Sequence, residues 1–476
     1  MSVQSSVAGT AESIAPPAES GSAPVSAWYA LAVLTVILIF ATVDRAILSL
    51  LAEQVKKDLS LSDLQLGLVQ GTGIAVFTAI AAFPMAWLAD KFGRRLVLAA
   101  SILIWSSAVV ACGLAKSFEQ ILLASAMVGA GEAGLAPITY ALIADLFRGR
   151  KRQLANSIFV IAAAAGGGLA MFIAGQLVAA GDDVKAHLPV GLQALSDWRI
   201  SFFMAALPAP IMAALVFTIR QIGQARTSAA ALARSAPGSQ SEAGGMALRT
   251  HLRLHARTLA TFCLGIALAI FSFSAIGSWL SVILMRNFGQ TPAQVGAAMG
   301  TIGLAAICIG FGFTVFGLRI LAPRMGRKLA VRVMWVSCLL AVLTSAAMAF
   351  ATSALHVYAI QFIQAVLLTS ANMLFPTALQ ELAPSHLRGR VVAIQTTTNV
   401  VVVAGAAPLV GLVSDLLKHR PDGLLVAASS VAVCALLLAA FLLRWCERGY
   451  VATVEAIERE DERGPAASGG LQSAMA

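Results

Sequence analysis

The chain has 476 residues, of which 59% are hydrophobic and only 12% charged, with a formal net charge of +10. Soluble proteins carry about 25% charged residues, and domain scaling excludes a single apolar core of this size. The basic excess therefore reads as membrane topology and contact with anionic lipid heads, not as a nucleic-acid surface.

Residues 1–26 are rich in Ala, Ser and Pro and hold no Lys or Arg. They lack the basic start of a signal peptide and read as a disordered cytoplasmic tail. Twelve apolar stretches long enough to span a bilayer follow, near 28–51, 66–89, 96–115, 119–146, 154–180, 199–219, 258–285, 293–318, 331–351, 357–380, 391–414 and 422–443. With both termini inside, about 24 of the 33 basic residues fall on the cytoplasmic side and about 8 outside, which fixes the orientation.

The first span carries Asp44 and Arg45. A charge at a bilayer centre costs about 2.5–3.5 kcal/mol on insertion scales, so such residues mark polar pathways. The fourth span supplies the other deep charge, Glu132, within AMVGAGEAGLAPITYALIADLF. The helical rise puts Asp44 and Glu132 within about 6 Å of each other in depth. Adjacent helix residues diverge by about 100°, so Arg45 is expected to pair with Glu132 and leave Asp44 free. One cation facing two acids suits reversible protonation. Gly129–Gly134 spells GAGEAG, a formal dinucleotide pattern. No strand precedes it, so close helix packing is the better reading.

The loop after span two, Leu88–Arg95, reads LADKFGRR, and the loop after span eight, Leu321–Lys328, reads LAPRMGRK. RGR follows span four at 148–150 and recurs after span ten at 388–390. Matching loops divide the chain into a bundle at 27–220, a linker at 221–257, a second bundle at 258–446 and a cytoplasmic tail at 447–476. Such duplication places a substrate between two halves. Asp90 and Arg94 have the spacing of a local ion pair, and Gly93 permits a tight turn between them.

These residues resemble motif A of the major facilitator superfamily. Leu88, Asp90, Lys91, Gly93, Arg94 and Arg95 match it, Ala86 replaces its first Gly, and Pro323 takes the Asp place in the second copy. Within that superfamily the first half resembles Spinster-type transporters, in ATVDRAILSLL at 41–51, GLVQGTGIAVF at 67–77, VGAGEAGLAPITYALIADLF at 128–147, GGGLA at 166–170 and DWRISF at 197–202. The resemblance implies an all-α membrane protein of two pseudo-symmetric six-helix bundles. It also implies a gate on the cytoplasmic side built from Asp90, Lys91, Gly93, Arg94 and Arg95, joined by Asp145 with Arg150 nearby. Two departures stand out. Ser125 occupies a place where relatives commonly have Arg, and span five reads AAAAGGGLA rather than the Gly-Pro pair of drug–proton antiporters.

The second half holds no deep charge in this assignment, only polar residues. These are Gln361, Gln364, Asn372, Gln395, Thr396, Thr397, Thr398 and Asn399, with Trp279. A charged wall opposite a neutral one suits an amphiphile, with Ser125, Thr139, Trp279, Asn372 and Asn399 as candidate cavity-lining residues. His251 and His255 alternate with Arg249, Arg253 and Arg257, a pattern that reads as lipid-head contact rather than a metal site. All six cysteines read as packing thiols. The expectation is a monomeric, multi-pass inner-membrane transporter of an amphiphilic organic anion, a lysolipid among the options. It would be proton-coupled through Asp44, Arg45 and Glu132 and need no cofactor beyond the proton gradient. A drug or small organic-acid exporter is the alternative. A lipid-modifying enzyme lacks any nucleophile or metal signature, and a non-transporting sensor lacks an output domain.

Overall fold

With no water in the bilayer core, each backbone group must be satisfied within its own helix, and the apolar stretches fold accordingly. A computed structural model of the protein describes residues 25–187, 189, 193–219, 249–384 and 387–463. It contains twelve spans. These are α1 (Val25–Asp58), α2 (Asp63–Phe92), α3 (Arg94–Leu114), α4 (Phe118–Leu146), α5 (Gly149–Ala186), α6 (Asp197–Thr218), α7 (Ala256–Phe288), α8 (Pro292–Gly317), α9 (Pro323–Met348), α10 (Ala354–Glu381), α11 (Arg388–Leu416) and α12 (Gly423–Arg459). An even number of crossings puts Val25 and Arg463 on one face, here the terminal face; the other is the far face.

Local chemistry sets the boundaries. Ser62 opens α2 with a reciprocal cap against Gln65, while Ser117 and Ser353 cap α4 and α10. Gly289, at φ +63°, ends α7 by letting the Gln290 amide reach the Leu284 carbonyl at 3.2 Å. Several spans are interrupted, α6 at Leu207–Pro208 and α9 by a 3-10 turn at Gly326–Lys328 among them. α2 contains a π turn at Leu68–Gly73, α4 breaks after Glu132, and α11 breaks at Gly405 ahead of Pro408.

Small residues bring the spans together. A Cβ on Gly168 would lie 2.8 Å from the Gly300 carbonyl oxygen, and one on Gly175 2.9 Å from the Gly296 Cα, so Gly168 of the GGGLA stretch and Gly175 two turns on let α5 lie against α8. Gly129 and Gly131 do the same for α4. Their Cβ atoms would sit 2.3 Å from the Ile74 carbonyl oxygen of α2 and 2.7 Å from the Trp105 backbone nitrogen of α3. GAGEAG is thus a packing surface. The DWRISF stretch closes the first bundle at the far face. Trp198 Nε1 donates to Asp58 at 3.0 Å, and Arg199 donates to the Gly113 and Ala115 carbonyls at the end of α3.

One buried cluster runs through both bundles, from Leu51 and Trp105 to Trp279, Val295 and Val410. A second belongs to α7, α9–α11 and α12 around Phe262, Cys338 and Tyr450, and a third to the terminal end of the first bundle at Leu31, Ile143 and Phe147. The shared core lies towards the far face, and the separate cores lie towards the terminal face.

Two expectations about segments need correction. The tail predicted from 447 begins as helix, since the helix that contains the α12 span continues to Arg463 with Glu447, Tyr450, Val454 and Ile457 buried. Arg332 pairs with Glu447, so the second half does hold a buried charge. Polar composition concealed this because only one face of the extension is apolar. Residues 249–254, assigned to the linker, are helical, and His251 turns inward to the Leu382 carbonyl at 3.0 Å instead of towards lipid heads. The rest of the predicted linker at 221–248, and the tails at 1–24 and 464–476, lie outside the described residues.

Candidate functional site

The buried face of α1 runs Leu34, Ile37, Ala41, Asp44, Leu48, Leu51 and Val55, a helical stripe interrupted by one carboxylate. Asp44 is 8% exposed. Arg45, one position round the helix, donates through Nε to Glu132 Oε2 at 2.8 Å, and a terminal guanidinium nitrogen reaches the same oxygen. Glu132 is the last helical residue before the α4 break and is 5% exposed. Its Oε1 has no partner among the described residues.

Arg45 lies deep in the bundle, yet its side chain is 52% exposed, so it faces the open space between the bundles. Two of its N–H groups go to Glu132, and its other terminal nitrogen has no protein partner among the described residues. Asp44 is held differently, since it forms no ion pair among the described residues. It shares a cavity of about 10 Å³ with Arg45, Ser125, Cys112 and Ile74. The three sequence-predicted charges are therefore brought together as an ion pair beside a separate carboxylate. Ser125 lines the same cavity, with its hydroxyl donating to the Leu122 carbonyl at 2.9 Å.

Across the interface, Asn372 lines a cavity of about 100 Å³ between α7 and α10, together with Ile266, Phe273, Leu368, Thr369 and Phe375. Asn399 is half-buried and accepts from Gln395 at 2.6 Å. Two candidates are placed elsewhere. Thr139 is fully buried, and Trp279 is fully buried with its indole donating to the Ala407 carbonyl at 3.0 Å. Packing between helices claims both, so neither lines the open space.

At the terminal face, Gly93 adopts φ +96° between α2 and α3, a conformation that a side chain opposes. Arg94 turns away from Asp90 and pairs with Asp145, also donating to the Ala141 carbonyl at 3.2 Å. The expected local Asp90–Arg94 pair does not form. Arg94 instead serves the C-terminal end of α4, where carbonyls and Asp145 concentrate negative charge. Asp90 and Arg150 are exposed. Lys91 lies 4.9 Å over the Trp87 ring, and Arg95 donates to the Phe217 carbonyl at 3.2 Å. Gly93→Val and Asp90→Ala are each expected to impair interconversion between states with less effect on ligand affinity. Spin-label distances across the terminal face test this, and wild-type distributions in both variants would refute it.

The family model described as Major Facilitator Superfamily matches residues 33–406. The chain belongs to the major facilitator superfamily. It is 27% identical over 402 residues to an MFS-type efflux pump of Mycolicibacterium smegmatis, covering 83% of this chain and 86% of that one. It is 27% identical over 383 residues to the sphingosine-1-phosphate transporter SPNS2 of Mus musculus, covering 77% and 66%. A crystal structure of a bacterial homolog to the human lysosomal transporter Spinster, inward-facing and unoccupied, superposes with a TM-score of 0.74 at 21% identity, over 92% of this chain and 99% of that one.

In this major facilitator fold the two bundles meet through a polar seam that sequence reading missed. Arg286 of α7 donates to Glu53 of α1 and Asp63 of α2 at 2.7–3.1 Å. Lys56 joins Asp63, and Ser49 meets Ser281 at 3.2 Å. Asp63 is 4% exposed. All these groups lie near the ends of spans at the far face, where a charge looks like an ordinary boundary residue. The only sequence signal was a Ser-Asp pair at 62–63 and another at 414–415, which the fold brings together. Through this seam the two bundles are joined at the far face.

Proposed function

We propose that the chain is a proton-coupled secondary transporter of an amphiphilic organic anion, working by alternating access, with Asp44 carrying the proton. The observation that supports this most is the placement of Asp44. It is a buried carboxylate with no ion-pair partner among the described residues, in one cavity with an arginine whose charge is already shared with Glu132. A group so placed can gain and lose a proton without dismantling an ion pair. Arg45 has an unused terminal nitrogen and an exposed surface, which suits an anionic head group. The mainly apolar cavity beside Asn372 suits a hydrocarbon tail. The resemblance to a sphingosine-1-phosphate transporter supports a lipid-like substrate. On this reading the terminal face is cytoplasmic and the membrane is a bacterial inner membrane, as the distribution of basic residues favours.

A drug or small organic-acid exporter is a second reading, supported by the efflux pump that matches over most of both chains. Reconstituted protein given a lysophospholipid or a small aromatic acid, with and without a pH gradient, separates the two. Gradient-dependent movement of the acid alone would reject the lipid reading, and movement indifferent to the gradient would reject coupling. Ser125→Arg is expected to place a second cation against Asp44 and move the pH–rate profile towards acid, because opposite charge at short range favours the ionised carboxylate. A well-folded variant with an unmoved or upward-shifted profile would show that Asp44, Arg45 and Glu132 do not form one titrating network.

A further inference from the structure

At the far-face seam, α2 and α11 touch through backbone groups that their own helices leave open. Pro408 has no N–H, so the Ala404 carbonyl four residues earlier loses its helical donor, and α11 breaks there. Thr72, from the other bundle, donates its hydroxyl to that carbonyl at 2.8 Å. Thr72 sits in the π turn of α2, one of the few irregular turns in the fold.

The second contact is at the start of α2. The first N–H groups of any helix have no internal acceptor, and here Asp63 and Leu64 present theirs across the bundle boundary. Asp415 of α11 accepts them at 3.0 and 2.9 Å. Ser414 returns a hydrogen bond to the Asp63 carboxylate at 2.7 Å. Between the two points the backbones are in contact, since a Cβ on Gly67 would lie 2.6 Å from the Ala407 carbonyl oxygen.

We infer that Thr72 and Asp415 form a two-point clasp that holds the far face shut, each satisfying across the bundle boundary a backbone group its partner helix leaves open. Parting the seam takes the donor from Ala404 and the acceptor from the α2 N-terminus, and only water can replace them. The clasp therefore weights the state closed at the far face against the state open there. Arg286 acts on the same seam through side chains, whereas Thr72 and Asp415 act on backbone groups that no rotamer change can re-pair. This inference rests on alternating access but not on proton coupling or on any particular substrate.

The test places spin labels at exposed Lys116 and His419, one in each bundle at the far face, after the exposed Cys308 and Cys434 are replaced by Ser. Distances are read in detergent without substrate or gradient, so the outcome is separable from the transport assignment. Wild type is expected to show mainly a short-distance population. Thr72→Val is expected to shift the open-to-closed ratio at the far face about tenfold, and Asp415→Ala further, because it removes a charged acceptor. Thr72→Ser keeps the hydroxyl and is expected to match wild type. Wild-type distributions in both Thr72→Val and Asp415→Ala would overturn the clasp, as would a Thr72→Ser shift equal to that of Thr72→Val. If Asp415→Ala does not elute as a single species, Asp415→Asn, which keeps one acceptor oxygen, replaces it with a smaller expected shift.

Discussion

Asp44→Asn is expected to reduce proton-driven accumulation at least about a hundredfold, the scale on which removal of a proton-transfer group is felt, while ligand binding stays measurable. The substitution is nearly isosteric, and the site around it is apolar, with Leu48, Ile74, Val109 and Val128 lining the cavity. An amide there costs no more to bury than a carboxylate, so folding is expected to persist. The contrast is Glu132→Gln, which leaves Arg45 without its charged partner. That variant is expected to lose stability as well as transport, although half of Arg45 is open to the space between the bundles and the loss is correspondingly reduced. Uptake into proteoliposomes under an imposed pH gradient, alongside a ligand-binding titration, reads both effects. Undiminished gradient-driven flux in Asp44→Asn would remove Asp44 from the coupling role.

The features visible in the sequence were those whose cost is local. Asp44 and Arg45 inside an apolar run, and Glu132 in a second, are expensive wherever their partners lie, so the pattern exposes them without any knowledge of the fold. The twelve spans and the paired loops were visible for a similar reason, since length and periodicity are properties of each segment. What escaped notice depended on distance in the chain. Arg286 is separated from Glu53 and Asp63 by more than two hundred residues, and Asp415 from Asp63 by more than three hundred. Each sits at a helix end where a charge draws no attention. The Arg94–Asp145 pair was misassigned to Asp90 because spacing along one helix cannot predict how Gly93, at φ +96°, redirects the next residue. Thr139 and Trp279 look alike in sequence to residues facing a cavity, and only packing against neighbouring helices distinguishes them.

The second large effect is expected at a residue with no functional side chain. Gly411 lies on α11 where it crosses the start of α2, and a Cβ there would sit 2.3 Å from the Asp63 carbonyl oxygen and 2.6 Å from its carbon. Both are backbone atoms, so no rotamer change relieves the overlap, and close-packed interiors do not absorb such a displacement. Gly411→Val therefore has to part α2 from α11, and the far face is expected to lose its closed state with transport falling at least about tenfold. Gly405 supplies the control on the same span. It has φ −81° and a Cβ there would meet only the Val402 carbonyl oxygen at 3.6 Å, so Gly405→Ala is expected to behave as wild type. The measurement is alkylation of Ser49→Cys by a membrane-impermeant reagent applied from the far face, in each background, with the exposed Cys308 and Cys434 replaced by Ser. Ser49 is half-buried in the seam against Ser281, and reactivity is expected to rise in Gly411→Val but not in Gly405→Ala. Equal reactivity in the two backgrounds would mean that α2 and α11 move as one piece, and that the far face opens along some other line than this seam.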